Sequence, residues 1–129
     1  MKVSARRRKG YAHSLTAGNH TLIGDEPPEK GGTDAGPRPT QLLALSLATC
    51  TAITVEMYAE RKQWDVGDVE VEVDYEIDPE GTSRFDVVIQ IPGEVTDEQV
   101  AKLKAIAAKC PVHRVLTGSV EINDRVERV

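Results

Sequence analysis

The feature that most constrains this chain is an apolar stretch, residues 42–58, whose hydrophobic side chains recur on almost every side of a helix. We predict one long helix from residue 40 to about residue 61, with Pro39 suited to its start and Thr40 as its N-cap. A helix that is apolar on most sides is buried on most sides. We therefore expect this helix to run through the middle of the structure, covered by sheet or by a second subunit.

Short β-strands are predicted on both sides of this helix. Alternation of apolar and polar residues is strictest at residues 69–77 and 85–91, which predict an antiparallel hairpin with one buried face. The remaining predicted strands cover residues 3–9, 11–16, 20–23 and 119–126. Between the third strand and the long helix, residues 25–39 are rich in proline and glycine and are predicted to form a loop.

A second helix is predicted at residues 96–109, where Thr96 and Gln99 have the spacing of a capping box. Pro111 then suits the first position of a short helix over residues 111–116, with Cys110 at its N-cap. The order of elements predicts an α+β fold. A length of 129 residues predicts a single domain spanning residues 1–129.

Composition and charge exclude several classes of protein. The net charge is −5, so the basic face of a nucleic-acid-binding protein is not expected. The N-terminal residues lack the apolar stretch of a signal peptide, and polar residues interrupt the apolar run at 42–58. We therefore expect a cytoplasmic protein without membrane or nucleic-acid partners. The two cysteines would then be core thiols, metal ligands or a redox pair.

Cys50 lies in the middle of the predicted long helix, and this position limits its chemistry. The helix dipole acts only near the helix ends, so it cannot stabilise a thiolate at Cys50. A reactive Cys50 needs a cation from elsewhere, most simply an arginine or lysine of the preceding loop or the first strands. The alternative is an inert thiol that serves as a small buried hydrophobic residue.

Cys110 has a different setting, because an N-cap sulfur accepts backbone N–H bonds and lies at the positive end of the helix dipole. His113 follows about one helical turn later. Three interpretations stay open for this Cys-x-x-His pair: half of a metal site with Cys50 as a third ligand, a thiol with an imidazole nearby, or a histidine without a special role. Phosphate-binding loops and the nucleophile elbow of hydrolases are absent from the sequence.

Two motifs in this chain resemble the OsmC/Ohr family of thiol peroxidases. The first is Gly36-Pro37-Arg38-Pro39, followed by Leu42-Leu43 and Ala48-Thr49-Cys50-Thr51. The second is the Cys-Pro-Val-His-Arg-Val-Leu segment at residues 110–116. The two motifs are joined by a predicted hairpin and helix in the family's order, and the resemblance covers essentially the whole chain.

The resemblance implies an OsmC-like fold, with antiparallel sheets around a long central cysteine-bearing helix, in an intertwined homodimer. It implies that Cys50 is the peroxidatic thiolate, which reduces an organic hydroperoxide or hydrogen peroxide, and that Cys110 resolves it as a disulfide. A small thiol or a lipoyl-type dithiol would restore both cysteines. No metal or bound organic cofactor is implied.

The chain departs from the family at the residues that activate the thiolate. Family members carry a glutamate ten or nine residues before the reactive cysteine, where this chain has Thr40 and Gln41. The family's arginine corresponds to Tyr11 in one branch and to Lys30 in another. Arg38 is the preferred substitute cation, followed by Lys30, and neutral Gln41 would orient a cation or a peroxide oxygen by hydrogen bonding.

Three hypotheses follow for the function. The first is a two-cysteine peroxidase that acts in oxidative-stress defence. The second is a dimer with little or no turnover that binds a small apolar or thiol ligand at the subunit interface. The third is a structural dimer held by a metal ion.

Overall fold

The computed structural model describes all 129 residues and confirms the predicted α+β class. Five strands and three α-helices follow each other along the chain, with one turn of 3₁₀-helix at Pro28–Lys30. In order they are β1 (Val3–Lys9), β2 (Ala12–Ala17), β3 (His20–Gly24), α1 (Pro39–Lys62), β4 (Glu70–Glu76), β5 (Arg84–Gln90), α2 (Asp97–Ala107) and α3 (Pro111–Thr117).

The chain forms two compact units, which are described separately. The first contains residues 1–45 and 75–85, and the second contains residues 46–74 and 86–129. In the first unit, β1, β2 and β3 form an antiparallel sheet in sequence order. Gly18 has a φ of +59° at the turn between β2 and β3, a conformation that favours glycine.

The core of the second unit is aliphatic, as the low aromatic content requires. Val55 and Ala59 of α1 pack with Leu103 and Ala107 of α2 and with Val66. A further set of partly buried side chains surrounds this cluster: Tyr58, Trp64, Val69, Ile89, Ile91 and Val95. This packing joins α1 to α2 within the unit, and it thereby positions the start of α3.

The long helix is longer than predicted and less buried within a single chain. It begins at Pro39, so Thr40 lies inside the helix and is not its N-cap. The Thr40 hydroxyl lies instead 3.3 Å from the Tyr75 hydroxyl. Along α1 the buried residues are Ala44, Leu47, Thr51, Val55 and Ala59. Ile53 and Met57 remain 50% and 60% exposed, so burial on most sides is not reached within one chain.

The predicted last strand at residues 119–126 is wrong. These residues have no regular secondary structure, and their side chains are exposed. The alternating apolar residues of the segment are compatible with a strand, but a strand needs a neighbour to accept its backbone hydrogen bonds. None of the five strands of the chain pairs with this segment.

Candidate functional site

The two cysteines meet in the second unit. Cys50 lies near the middle of α1 and is half-buried, whereas Cys110 precedes α3 and is fully buried. Their side chains lie close enough for Cys50 to affect the pKa of Cys110, and both thiols are free. Sixty residues of sequence separate the two sulfurs, so the packing of α1 against α2 is what brings them together.

Cys110 is the N-cap of α3, as predicted. Its Sγ accepts a hydrogen bond from the backbone N–H of His113 at 3.4 Å, and the N–H of Val112 also contributes. Burial raises the pKa of the Cys110 thiol, and the neighbouring Cys50 thiol raises it further, while the two backbone amides lower it.

His113 contributes to this pair through its backbone. The imidazole is half-buried, and it is the amide N–H of His113 that contacts the sulfur of Cys110. No group of three or more His, Cys, Asp or Glu side chains is arranged to hold a metal ion. The arrangement around Cys110 therefore consists of two thiols and the amino end of a short helix.

A groove of about 640 Å³ lies between α1 and α2 in the same unit. We call it the α1–α2 groove, and it is lined by Thr54, Met57, Glu60, Arg61, Ile106 and Lys109. Thr54 lies one helical turn after Cys50, and Lys109 immediately precedes Cys110. Sequence reasoning missed these residues, although their spacing of four, seven and eleven residues from Cys50 places three of them on its side of α1.

The loop between β3 and α1 in the first unit is organised by Asp25, which sequence reasoning also missed. Asp25 is only 2% exposed, and its carboxylate accepts hydrogen bonds from the backbone N–H groups of Glu26, Thr33 and Ala35 and from the Thr33 hydroxyl. These bonds lower the pKa of Asp25, the Ala35 amide most, although burial opposes them. An aspartate directly after a strand and before a proline-rich turn was the available signal.

The loop ends at Arg38, the preferred candidate for an activating cation. Its guanidinium lies 3.8 Å from the Glu29 carboxylate, and its backbone N–H donates to Gln41 Oε1 at 2.9 Å. The Gln41 side chain thus contacts the backbone of Arg38, not its guanidinium, and this hydrogen bond lies at the amino end of α1. Lys30 is exposed at the end of the 3₁₀ turn. These three residues belong to the first unit, and both cysteines belong to the second.

Comparison with known proteins agrees with this architecture. A family model described as OsmC-like protein matches residues 31–123. None of the curated proteins matches the sequence significantly. A putative osmotic stress induced and detoxification response protein from Psychrobacter arcticus superposes with a TM-score of 0.78 at 23% identity, over 88% of this chain and 86% of that one.

Two further solved structures carry names related to hydroperoxide resistance. The organic hydroperoxide resistance protein OhrB of Bacillus subtilis gives a TM-score of 0.62 at 26% identity, covering 93% of this chain and 92% of that chain. A putative organic hydroperoxide resistance protein of Vibrio cholerae, with captopril bound in one of its active sites, gives a TM-score of 0.63 at 22% identity. The match covers 92% of this chain and 85% of that chain. The chain therefore has the OsmC-like fold.

Proposed function

Because the chain belongs to the OsmC-like protein family, we propose that it is a thiol-dependent peroxidase that reduces organic hydroperoxides or hydrogen peroxide. The family and the hydroperoxide-resistance names among its structural neighbours support a stress-related, peroxidase-like role. The observation that carries the specific proposal is the proximity of the two thiols, since Cys50 is close enough to Cys110 to affect its pKa. Two thiols in contact can exchange protons and can close a disulfide after one of them is oxidised.

In the proposed cycle, the Cys50 thiolate attacks the O–O bond of the peroxide. One oxygen is transferred to Cys50 as a sulfenic acid, and the other leaves as an alcohol or as water. The Cys110 sulfur then attacks the sulfenic sulfur, a disulfide forms, and water leaves. The amides of Val112 and His113 support Cys110 when it ionises for this step, because they donate to its sulfur.

Activation of Cys50 requires a cation, and we assign this role to Arg38, with Lys30 as the second choice. The only carboxylate that pairs with Arg38 is Glu29, and both side chains are substantially exposed, so this ion pair holds the guanidinium weakly. Gln41 fixes the backbone at Arg38 and thereby sets where its side chain leaves the loop.

The remaining assignments follow from the same family. We propose a homodimer, because apolar side chains of α1 remain exposed in the single chain. We propose an external thiol or lipoyl-type dithiol as reductant, no metal or organic cofactor, and a cytoplasmic location. Helix α1 is long and apolar enough to cross a membrane, but the core helices of soluble proteins are often equally long and apolar. No membrane location is indicated.

The proposal is tested by turnover of tert-butyl hydroperoxide and hydrogen peroxide with dithiothreitol as reductant. We expect Cys50→Ser to abolish turnover. We expect Cys110→Ser to stop disulfide formation and to leave a sulfenic acid on Cys50, detected with dimedone. Full turnover by Cys50→Ser would reject the peroxidase.

A non-catalytic binding protein is the second candidate. It is favoured by the neutral residues Thr40 and Gln41, which stand where the family carries its activating glutamate. The captopril bound in the Vibrio cholerae protein adds support, because captopril is itself a thiol. A ligand that co-purifies with the chain while Cys50 stays unreactive toward peroxide would decide for this function.

A further inference from the structure

A cavity of about 670 Å³ lies in the second unit, where the end of α1 and the turn after it approach α2. Neither cysteine lines it. We call it the aromatic cavity, and its walls include Tyr58, Lys62 and Trp64 on one side and Ala101, Lys102 and Ala105 of α2 on the other. Its volume is in the range of small-molecule sites in proteins.

Two aromatic rings form one wall of the aromatic cavity. The rings of Tyr58 and Trp64 meet edge to face, with their centres 5.6 Å apart and their planes at 69°. Both rings pack against the core and are half-buried, so part of each ring faces the cavity. Ala101 and Ala105 are exposed on α2, and their small side chains leave room beside the rings. Such a wall favours a flat aromatic ligand.

Three cations surround the Tyr58 ring. The charged groups of Arg61, Lys62 and Lys102 lie 5.8, 5.7 and 5.9 Å from its centre. None of the three forms an ion pair within the chain. Like charges at such separations repel each other, and the negative face of one ring offsets this repulsion only in part. A bound anion that contacts Lys62 and Lys102 would relieve the repulsion.

The single carboxylate among the lining residues, Glu98, leaves this positive charge uncompensated. Glu98 precedes Lys102 by four residues, a spacing at which helix ion pairs form, yet the two make no ion pair and Lys102 lies over Tyr58. The nearby lining residues Thr96 and Gln99 are joined in the capping box of α2. The two lysines are therefore the charged donors that the cavity offers to a ligand.

We propose that the aromatic cavity binds a small aromatic carboxylate. The ring of the ligand lies against Tyr58 and Trp64, and its carboxylate accepts hydrogen bonds from the ammonium groups of Lys62 and Lys102. The site goes beyond the proposed peroxidase and does not depend on it, because no thiol takes part in the binding.

The aromatic cavity lies on a different side of α1 from the exposed apolar residue Ile53. Successive residues of a helix are rotated by about 100°, so Tyr58 and Lys62 lie about 140° and 180° around α1 from Ile53. A second copy of the chain that covers Ile53 therefore does not need to cover the cavity.

The experiment uses the full chain with both cysteines reduced. Trp64 is the only tryptophan, so its indole N–H gives a single signal in a proton–nitrogen NMR spectrum. The shift of this signal is followed during titration with three probes. They are 2-naphthoate, its neutral analogue 2-naphthalenemethanol, and its saturated analogue decahydro-2-naphthoate. Each titration gives a Kd for the aromatic cavity.

We expect 2-naphthoate to bind on the order of tenfold more tightly than the neutral alcohol, and also more tightly than the saturated acid. K62Q/K102Q should weaken binding of 2-naphthoate on the order of tenfold and change binding of the alcohol by less than about twofold. E98Q removes the competing carboxylate and should tighten binding of 2-naphthoate roughly twofold. K104Q/K109Q is the matched control, because it removes two positive charges from exposed residues outside the cavity.

Ala105→Leu tests the location of the probe without a change of charge. The larger side chain fills part of the cavity and should abolish the shift of the Trp64 signal. Because Ala105 is exposed and leucine is a good helix former, the variant should keep its fold, which circular dichroism checks.

Four results would overturn the inference: no saturable shift with 2-naphthoate, equal affinity for 2-naphthoate and either analogue, equal weakening in K62Q/K102Q and K104Q/K109Q, or unchanged binding in Ala105→Leu. Peroxide turnover is measured separately with the same protein. Its absence would remove the proposed peroxidase and leave the binding site standing, whereas loss of binding alone would remove only the site.

Discussion

Cys50 and Cys110 differ in both exposure and hydrogen bonding, and this difference divides their roles. Burial and the neighbouring Cys50 thiol raise the pKa of Cys110, so its thiol holds its proton over a wider pH range than an ordinary cysteine. Only an ionised and accessible sulfur reacts quickly with an electrophile. Cys110 is therefore suited to act after Cys50, once Cys50 has been oxidised to the sulfenic acid that the Cys110 sulfur attacks.

This asymmetry predicts selective alkylation of the reduced protein. At pH 7.5 we expect iodoacetamide to modify Cys50 at least about tenfold faster than Cys110, because the Cys110 thiol is buried and protonated. Peptide mass spectrometry of a time course measures both rates in one sample. The Cys110 rate should rise with pH well above the pH that suffices for a free thiol. Equal rates at neutral pH would contradict the assigned roles.

Arg38 supplies the second prediction. Its ion pair with Glu29 is long and solvent-exposed, so the pair contributes at most about 1 kcal/mol to the free energy of unfolding. We expect Arg38→Ala to slow alkylation of Cys50 at neutral pH by roughly threefold or more, while the melting temperature changes little. Arg38→Lys keeps the charge and should restore part of the rate. An unchanged rate in Arg38→Ala together with a slower one in Lys30→Ala would transfer the role to Lys30.

At the scale of elements, the loop between β3 and α1 depends on a single carboxylate. Asp25 accepts bonds from three backbone amides and one hydroxyl, and its own N–H donates to the Pro37 carbonyl at 3.1 Å. Gly36 packs so closely against the backbone of Ile23 that no larger residue fits there without a shift of the chain. The long proline- and glycine-rich stretch is therefore an ordered loop that leads to Arg38.

We predict that the loop between β3 and α1 becomes less stable in acid, because protonation of Asp25 removes the charge that its hydrogen bonds stabilise. Its pKa is lower in the folded chain than in the unfolded one, so its stabilising effect is complete above about pH 4 and is lost as the pH falls through the folded-state pKa. We expect Asp25→Asn to imitate the acid form at pH 7, with faster hydrogen exchange at the amides of Thr33 and Ala35. Asp34→Asn is the matched control, because asparagine tolerates the positive φ of 55° at that position. Unchanged exchange in Asp25→Asn would show that the loop is held by other contacts.

Local patterns in the sequence were sufficient for most elements. The strict alternation at residues 69–77 and 85–91 appears as β4 and β5, each with alternately exposed and partly buried residues. The capping box at Thr96 is formed in both directions, and Cys110 caps α3. The two caps depend on hydrogen bonds between residues three apart, so the local sequence determines them.

Features that depend on distant neighbours were not predictable. Residues 119–126 have the pattern of a strand but no pairing strand in the chain. The contact between Cys50 and Cys110 required the resemblance to a family, because spacing alone left metal, core and redox interpretations open. The cations of the groove have no local signature, since Arg61 and Lys109 become neighbours only when α1 packs against α2.

For the whole molecule, the exposed apolar residues are the feature that a single chain does not explain. On α1, Ile53 and Met57 are half or more exposed in the second unit, and the C-terminal residues Val120 and Ile122 are exposed as well. Leaving such surface in water costs about 25 cal/mol for each Å² that a partner would cover. A second copy of the chain, as proposed from the family, would cover such surface.

The proposed homodimer gives the last prediction. Ile53→Glu places a charge on the exposed side of α1 without touching the core, so each chain should keep its fold. A carboxylate buried in a dimer interface without a partner costs several kcal/mol, which weakens association by a factor on the order of 10² or more. Light scattering across a concentration series should then show a monomer for Ile53→Glu where the wild type is a dimer. Val100→Glu, on the exposed surface of α2, is the matched control and should remain dimeric, with circular dichroism as the check on folding. A monomeric wild type, or equal dissociation in both variants, would place the functional unit in the single chain, with Ile53 as ordinary solvent-exposed surface.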